Sequence, residues 1–429
     1  MIYELRKANM AVIERSLTRL VTSDMQAFPA VYINGPRQAG KSTLVRELIL
    51  PDYPTARYVT FDDVLERAAA TRNPADYLSG TGFPFVIDEV QLVPGLFRPL
   101  KKAIDEARLS KLKSGQAKPN GRYLLTGSAN LAAVPALADA MVGRMGIRTL
   151  YPFSAAEIWE GKGDFIERAF SGDFSKAVKS NKTVLDAMRV ATFPELLDMP
   201  LSQVKSWFDN YVRKVTLEDP RQIYNLEKAE FMPLLLQTLA HRAGNLINDA
   251  DLSRDVGLNT ITTRTYRKLL EATFVTLDMQ PWHRNVQKRL VKTGKGYFYD
   301  TLLLCHMLGG GPEELARKDL NRFGHILENF VATELLKLIN NGDTGSALHF
   351  FRTHDGDEVD FVIENPQGKL VAIEVKNAEN VTERDLSGMR ELRDVAGKDF
   401  RHGIVLCNTP RPLPFGDGIT LLPFSALWE

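Results

Sequence analysis

Residues 35–42 constrain the chain more than any other stretch. Gly35, Pro36, Arg37, Gln38, Ala39, Gly40, Lys41 and Ser42 match G-x-x-x-x-G-K-[ST] at every fixed position. Val31, Tyr32 and Ile33 just before them predict a buried strand. Residues 43–49, opening at Thr43 with Leu44 and Leu48 facing inward, predict a helix. A strand, a glycine turn and a helix start are the setting such a loop requires. The glycines let backbone N–H groups close around phosphate oxygens, and the positive end of the helix dipole points at the same anion. In that reading Gly35 to Thr43 form the nucleotide cradle, Lys41 reaches the β/γ-phosphates and Ser42 holds Mg²⁺.

The chain has 429 residues, enough for two or three domains of roughly 150 residues each. A formal net charge of +1 names no polyanionic partner, so any nucleic-acid surface must be local. Cys305 and Cys407 lie too far apart for a metal-ligand spacing and exclude a disulfide framework, which points to a reducing compartment. No run of 18 apolar residues occurs, so no membrane span is expected. The first residues lack the apolar core of a signal peptide, and the expected location is the cytoplasm. Residues 1–30 read as an amphipathic helix with Lys7, Arg15 and Arg19 on a basic face, more simply docked than bound to nucleic acid.

Two further strands carry chemistry. Residues 56–63 form one that ends in acids. Phe85, Val86 and Ile87 form another, followed by Asp88 and Glu89, with Asp88 lying 46 positions after Ser42 (88 − 42). Carboxylates at the C-terminal end of a parallel strand face the ligand crevice. Asp88 is expected in the Mg²⁺ shell and Glu89 as the general base that polarises the attacking water. The strand at residues 123–126 ends in Gly127 and Ser128. Ser128, with Thr126 and Asn130 as neighbours, reads either as a γ-phosphate sensor between the two motif strands or as a plain polar strand end.

These segments, together with Val142-Gly143-Arg144-Met145 ahead of Leu150-Tyr151-Pro152-Phe153-Ser154, resemble bacterial and archaeal AAA+ ATPases of the AAA_14 type, in which a C-terminal DUF4143 region follows. The resemblance covers most of the chain. It implies ATP and Mg²⁺ as cofactors and a homo-oligomer, for instance a hexameric ring. It also implies that Arg144 contacts nucleotide phosphate in its own subunit or a neighbour, with Arg148 as the competing position and a structural arginine as the alternative.

Residues 160–190 read as an irregular connection with a short helix, and residues 192–196 resemble the family's aromatic-Pro-Glu turn. Trp207, Tyr211 and Val215 at four-residue steps mark an amphipathic helix whose aromatics belong to a core. Residues 248–259 and 260–270 read as two helices around Gly257, the layout of a helix-turn-helix. Arg264, Arg267 and Lys268 then lie within one turn of each other. Downstream, Arg284, Lys288, Arg289, Lys292 and Lys295 occur without an intervening acid between two predicted strands. The whole resembles a winged helix, which implies either DNA contact through these cations or a lid or protein contact.

Near the C-terminus, Glu328 sits on an apolar helix, and Asp360, Glu374 and Lys376 give D-x13-E-x-K over two strands. Glu374 and Lys376 share a face because strand side chains repeat every two residues. This resembles the PD-(D/E)XK nuclease core, in which the acids gather a divalent metal and the lysine orients water. Many such domains persist as binding or assembly modules, so cutting stays open. His325, His349, His354 and His402 show no ligand pairing.

The expected architecture is α/β. A P-loop AAA+ parallel sheet fills 1–160, a helical connection 161–240, a winged-helix-like part 241–310 and a restriction-endonuclease-like α/β domain 311–429. The expected activity is ATP hydrolysis coupled to binding and remodelling DNA. The alternatives are a nucleotide-dependent switch for a protein partner and an ATP-gated nuclease.

Overall fold

The computed structural model describes residues 12–79, 82–114, 119–130, 141–174, 180–220, 226, 228–285, 293–353, 355–378 and 381–429. It divides into two compact units, 1–151 and 152–429.

The first unit is built on a sheet of β1 (Ala30–Asn34), β2 (Arg57–Thr60), β3 (Phe85–Asp88), β4 (Tyr123–Thr126) and β5 (Met145–Thr149). The strands are ordered β2-β3-β4-β1-β5 and every pairing is parallel. Parallel sheets are covered on both faces, so their strands read as unbroken apolar runs. The strand period of two shows in how those runs divide. Tyr32, Ile87 and Leu125 enter one core with Phe97 and Leu100, while Val31, Ile33, Val86 and Leu124 enter another with Leu17, Leu20 and Leu44. The first core is covered by α2 (Phe97–Ser114) and the second by α1 (Leu17–Ala27). The helix expected over residues 1–30 is therefore present as α1, while residues 1–11, Lys7 included, lie outside the described residues.

Residues 152–429, over which three parts were expected, form one compact unit. One apolar cluster runs from Ala155 through Leu236, Leu270, Tyr297, Phe330 and Ile373 to Trp428. The helical connection, the helix-turn-helix and the C-terminal sheet thus share a core, and the division falls at 151/152 because Ala155 and Ala156 already pack into it. The expected helix pair is α3 (Asp249–Val256) and α4 (Thr260–Ala272), joined through Gly257 at φ 78°. An antiparallel hairpin of β6 (Thr276–Met279) and β7 (Lys295–Phe298) follows. Of the residues expected to face a core, Tyr211 and Val215 are buried, while Trp207 is half-buried and stacks on Tyr211 at 5.3 Å.

The C-terminal sheet comprises β8 (Ala347–Arg352), β9 (Glu358–Glu364), β10 (Leu370–Val375), β11 (Phe400–Cys407), β12 (Leu413–Gly416) and β13 (Ile419–Pro423). Its order is β12-β13-β11-β10-β9-β8, with parallel pairing between β10, β11 and β13 and antiparallel pairing elsewhere. Its two faces again divide by alternation. Phe361 and Ile373 join the core of α5 (Leu320–Asn341), and Val362 and Ala372 join that of α6 (Ser387–Ala396). Among the described residues no helix is long and apolar enough to cross a membrane.

One buried ion pair ties α5 to the start of the unit. Lys337 Nζ donates to Glu334 Oε1 at 3.0 Å, to the Phe153 carbonyl at 2.8 Å and to the Ala191 carbonyl at 3.3 Å. Glu334 Oε2 accepts from the Ala155 amide at 2.9 Å. Removing one partner of such a pair strands the other charge in a low-dielectric interior. Lys337→Met is therefore expected to lower the stability of this unit by about 3–5 kcal/mol. All four tryptophans, Trp159, Trp207, Trp282 and Trp428, lie in this unit, so urea denaturation followed by their fluorescence reads it alone. A loss below about 1 kcal/mol, the range of exposed pairs, would contradict the assignment.

Candidate nucleotide site

The loop after β1 has the backbone that the sequence demands. Gly35 adopts φ 144° and Gly40 φ 93°. A Cβ on Gly35 would lie 2.1 Å from the Leu150 carbonyl oxygen, a contact no side chain tolerates. Arg15, read from sequence as part of a basic surface, is buried and pins the loop. Its guanidinium donates to the Ala39 carbonyl at 3.0 Å and to the Tyr151 carbonyl at 2.6 Å. Lys41 is buried, and its ammonium rests on the Gly35 and Pro36 carbonyls at 3.0 and 2.7 Å. Burial lowers its pKa to about 8, with Glu89 and Asp88 pulling it back up.

Asp88 stands at the C-terminal end of β3 and gathers hydroxyls from three directions. Ser42 Oγ donates to Oδ2 at 2.8 Å, Tyr58 Oη donates to the same oxygen at 2.8 Å, and Thr126 Oγ1 donates to Oδ1. Burial and then Asp88 raise the Tyr58 phenol well above its usual range. The neighbouring Glu89 has φ 55°, left-handed for a residue with a side chain, and its amide donates to Thr126 Oγ1 at 3.4 Å. Strain of this kind persists where surrounding structure over-determines the backbone, often at functional sites. Gln91 Nε2 bridges the Glu89 carboxylate and Ser128 Oγ, the latter at 3.1 Å.

The strand expected to lie between the two motif strands does so, since β4 separates β3 from β1. It is Thr126 that touches Asp88, while Ser128 reaches Glu89 only through Gln91. Sequence reading missed Tyr58, Gln91 and Arg15. Gln91 was within reach, standing two positions after Glu89, whereas Tyr58 needed the register that sets it beside Val86. Arg144 is held in its own unit by Asp105, with Nε to Oδ1 at 2.7 Å and Nη2 to Oδ2 at 3.0 Å. That guanidinium keeps the Asp105 carboxyl below its usual range. Arg148 is paired with Asp24 at 2.6 and 2.9 Å.

The AAA domain family, AAA_14, matches residues 27–159, and DUF4143, a domain of unknown function, matches 323–427. Residues 27–159 are thus similar to AAA_14 domains, and residues 323–427 to DUF4143 domains. A further domain of unknown function, DUF8612, matches residues 181–314, which include the helix-turn-helix and hairpin. Uncharacterized proteins of Mycobacterium bovis and Mycobacterium tuberculosis are each 27% identical over 350 residues, covering 81% of this chain and 70% of theirs. Among solved structures, a Walker-type ATPase of Pyrococcus abyssi aligns at 15% identity and a TM-score of 0.37, over 70% of this chain and 97% of its own.

In the part of the chain that matches DUF8612, the cations expected to meet DNA are matched by acids. Arg267 is buried, with Nε to Asp249 Oδ1 at 2.9 Å and Nη1 to Asp278 Oδ2 at 2.9 Å, so it is not presented to an outside phosphate. Arg264 pairs with Asp249 at 2.8 Å, and Lys268 with Glu271 at 2.8 Å and Asp278 at 3.2 Å, both cations remaining largely exposed. Lys295, counted among the hairpin cations, is buried. Lys288, Arg289 and Lys292 lie outside the described residues.

In the DUF4143 region the expected acids do converge. Glu328 Oε1 accepts from Lys295 at 3.1 Å and from Tyr297 Oη at 2.5 Å. Asp360 Oδ2 accepts from the Val375 amide at 2.9 Å, and Lys376 Nζ lies 3.4 Å from Glu374 Oε2 and 3.7 Å from Asp385 Oδ1. Burial, then Asp360, pushes Glu328 up to about 7 and Glu374 well above the carboxylate range. Burial works against the Lys376 charge, but Glu374 and Asp360 outweigh it and raise that pKa.

The two arginines of α4 should separate in a stability measurement. Arg267→Ala leaves Asp249 and Asp278 short of a buried partner and is expected to cost about 3–5 kcal/mol. Arg264→Ala, at an exposed pair, should cost less than about 1 kcal/mol. Equal costs in tryptophan-monitored urea melts would refute the burial argument.

Proposed function

We propose that this protein binds ATP with Mg²⁺ at residues 35–43, hydrolyses it, and uses the helix-turn-helix and hairpin of its second unit to engage and remodel DNA. The observation that carries the hydrolytic part is the Ser42–Asp88 contact at 2.8 Å beside the strained Glu89. A hydroxyl and a carboxylate that close form a hard oxygen set suited to Mg²⁺, and Gly35 and Gly40 hold the positive φ angles that the phosphate loop needs. Ser42 and Asp88 would hold the ion, directly or through water, and Gly35 to Thr43 would hold the phosphates. Bound Mg²⁺ supplies charge neutralisation on the phosphate oxygens.

The protein's own groups divide the remaining work. Lys41 brings a cation to the phosphates. Glu89 takes a proton from the attacking water, and Gln91 fixes the orientation of that carboxylate while reading Ser128. Thr126 and Tyr58 hold Asp88 in place. Arg144, acting on a neighbouring subunit of a homo-oligomeric ring, would have to exchange Asp105 for a phosphate, since the two cannot be bidentate partners at once. In the second unit, exposed Arg264 and Lys268 on α4 support a DNA contact, with Lys288, Arg289 and Lys292 as further candidates.

A second reading has support of its own. The acids around Arg264, Arg267 and Lys268 weaken a phosphate-binding face, and Ile261 on α4 is 81% exposed. Those features suit a nucleotide-operated switch that binds a protein partner through α4.

Lys41→Ala is expected to abolish nucleotide binding. Glu89→Gln should bind nucleotide normally yet turn over at least ~100-fold more slowly, the lower bound for losing a general base. Retained turnover in Glu89→Gln removes the base assignment. Turnover of the intact protein with single-stranded, duplex and branched DNA separates the readings: stimulation supports the DNA motor, and indifference to all three supports the switch.

The Lys41 shift also sets a pH dependence. The ammonium is charged below about 8 and neutral above it, and a polyphosphate prefers the charged form. The Kd for an ATP analogue should therefore be flat below about 8 and rise by up to ~10-fold per pH unit above it. A Kd that stays constant from neutral pH well into the alkaline range contradicts the buried, lowered lysine.

A further inference from the structure

The carboxylates of the DUF4143 region have the order along the chain of a metal-dependent nuclease, but their surroundings differ from one. Lys295, from β7, is 2% exposed and sends its ammonium between Glu328 and Glu358, with Asp360 near enough to act on its charge. Nζ lies 3.1 Å from Glu328 Oε1 on α5 and closer still to the Glu358 carboxylate on β9. Tyr297, two residues along the same face of β7, places its hydroxyl 2.5 Å from the same Glu328 oxygen. The other Glu328 oxygen faces His325 Nδ1 at 3.9 Å. Glu374 is engaged by Lys376, and Asp360 by the Val375 amide. Among the described residues no group of three or more His, Cys, Asp or Glu side chains is arranged to hold a metal ion.

A divalent ion in a carboxylate site needs oxygens that turn inward on a shared vacant point. Here a monovalent ammonium with three N–H donors takes that role, and the nearest oxygens turn to it. Its stem is packed into the unit, its strand is pinned to β6 by the Met279 pairing, and its charge lies 5.6 Å from the Phe350 ring centre. Exchange for a metal would require expelling a buried lysine whose two carboxylate partners come from different elements.

We propose that this cluster is an ammonium-filled, metal-free site. Lys295 stands where a nuclease would hold its divalent ion, so the DUF4143 region does not cut nucleic acid. Its work is structural. One cation joins the hairpin, α5 and the C-terminal sheet, so that the helix-turn-helix part and the sheet move as one body. The hairpin, which sequence alone would assign to DNA, is on this view anchored inward at Lys295 and Tyr297. The inference does not depend on the ATPase reading, because it concerns a separate cluster and is tested without nucleotide.

The test is Mn²⁺ titration of the nucleotide-free, full-length protein, with free Mn²⁺ read by electron paramagnetic resonance. Wild type and Asp360→Asn should give the same curve. Lys295→Ala, which leaves the carboxylates without their cation, should gain a site at least tenfold tighter than any in wild type, and Lys295→Ala with Asp360→Asn should lose it again. Wild-type Mn²⁺ binding that disappears in Asp360→Asn overturns the proposal. So does a Lys295→Ala protein with native tryptophan fluorescence and no gain in Mn²⁺ binding. Where Lys295→Ala fails to fold, the wild-type and Asp360→Asn pair still decides, joined by plasmid incubation with Mn²⁺: nicking by wild type that Asp360→Asn abolishes sinks the idea, and intact plasmid with both supports it.

Discussion

Asp88 is the point on which the nucleotide site depends. Its two oxygens accept from Ser42 after β1, Tyr58 on β2 and Thr126 on β4, so one carboxylate joins the ends of every strand around the crevice. The parallel order β2-β3-β4-β1 makes this possible, because it brings four C-terminal strand ends side by side. A charge-assisted hydrogen bond is roughly twice as strong as a neutral one, and a carboxylate has about four lone-pair sites to fill. Three donors take three of those sites and hold the carboxylate in place, and Glu89 follows in the left-handed region with its own carboxylate on Gln91.

The second unit applies the same economy of charge to its core. Lys337, Arg267 and Lys295 are each buried, and each joins segments far apart in sequence through carboxylates or carbonyls. A buried cation is tolerated only when its partners are in place, because the desolvation penalty otherwise exceeds the attraction. That requirement makes these contacts specific. Sliding β7 by one residue would turn Lys295 to the opposite face and leave Glu328 and Glu358 without it.

This explains which parts were legible in the sequence. The loop at residues 35–42, the strand ending in Asp88 and the position of β4 between its neighbours are local patterns, and local patterns survive folding. The helix pair and hairpin at residues 249–298 follow from periodicity and a glycine stop. The fate of individual charges was not legible. Arg267 read as a free cation because Asp249 lies 18 residues away and Asp278 in the next element, and only the turn of α4 against α3 and β6 brings them together. Arg15 likewise looked like a surface residue until α1 set it beneath the loop. The boundary at 151/152 was displaced because composition barely changes where Ala155 enters the second core.

The same distinction governs how a basic stretch should be read. Lys295 and Arg264 carry equal charge in the sequence and lie in the same stretch of chain, yet their surroundings give them opposite physical roles. Lys295 is desolvated and coordinated by two carboxylates, so its charge is spent on internal cohesion and contributes almost nothing to the field outside. Arg264 has one acid partner and a side chain 64% exposed, so its charge reaches solvent and can exchange that partner for a phosphate. Electrostatic attraction to a polyanion depends on charges of the second kind. Counting five cations between residues 284 and 295 therefore overstated the hairpin's affinity for a phosphate backbone, since the innermost of them is already neutralised by the fold.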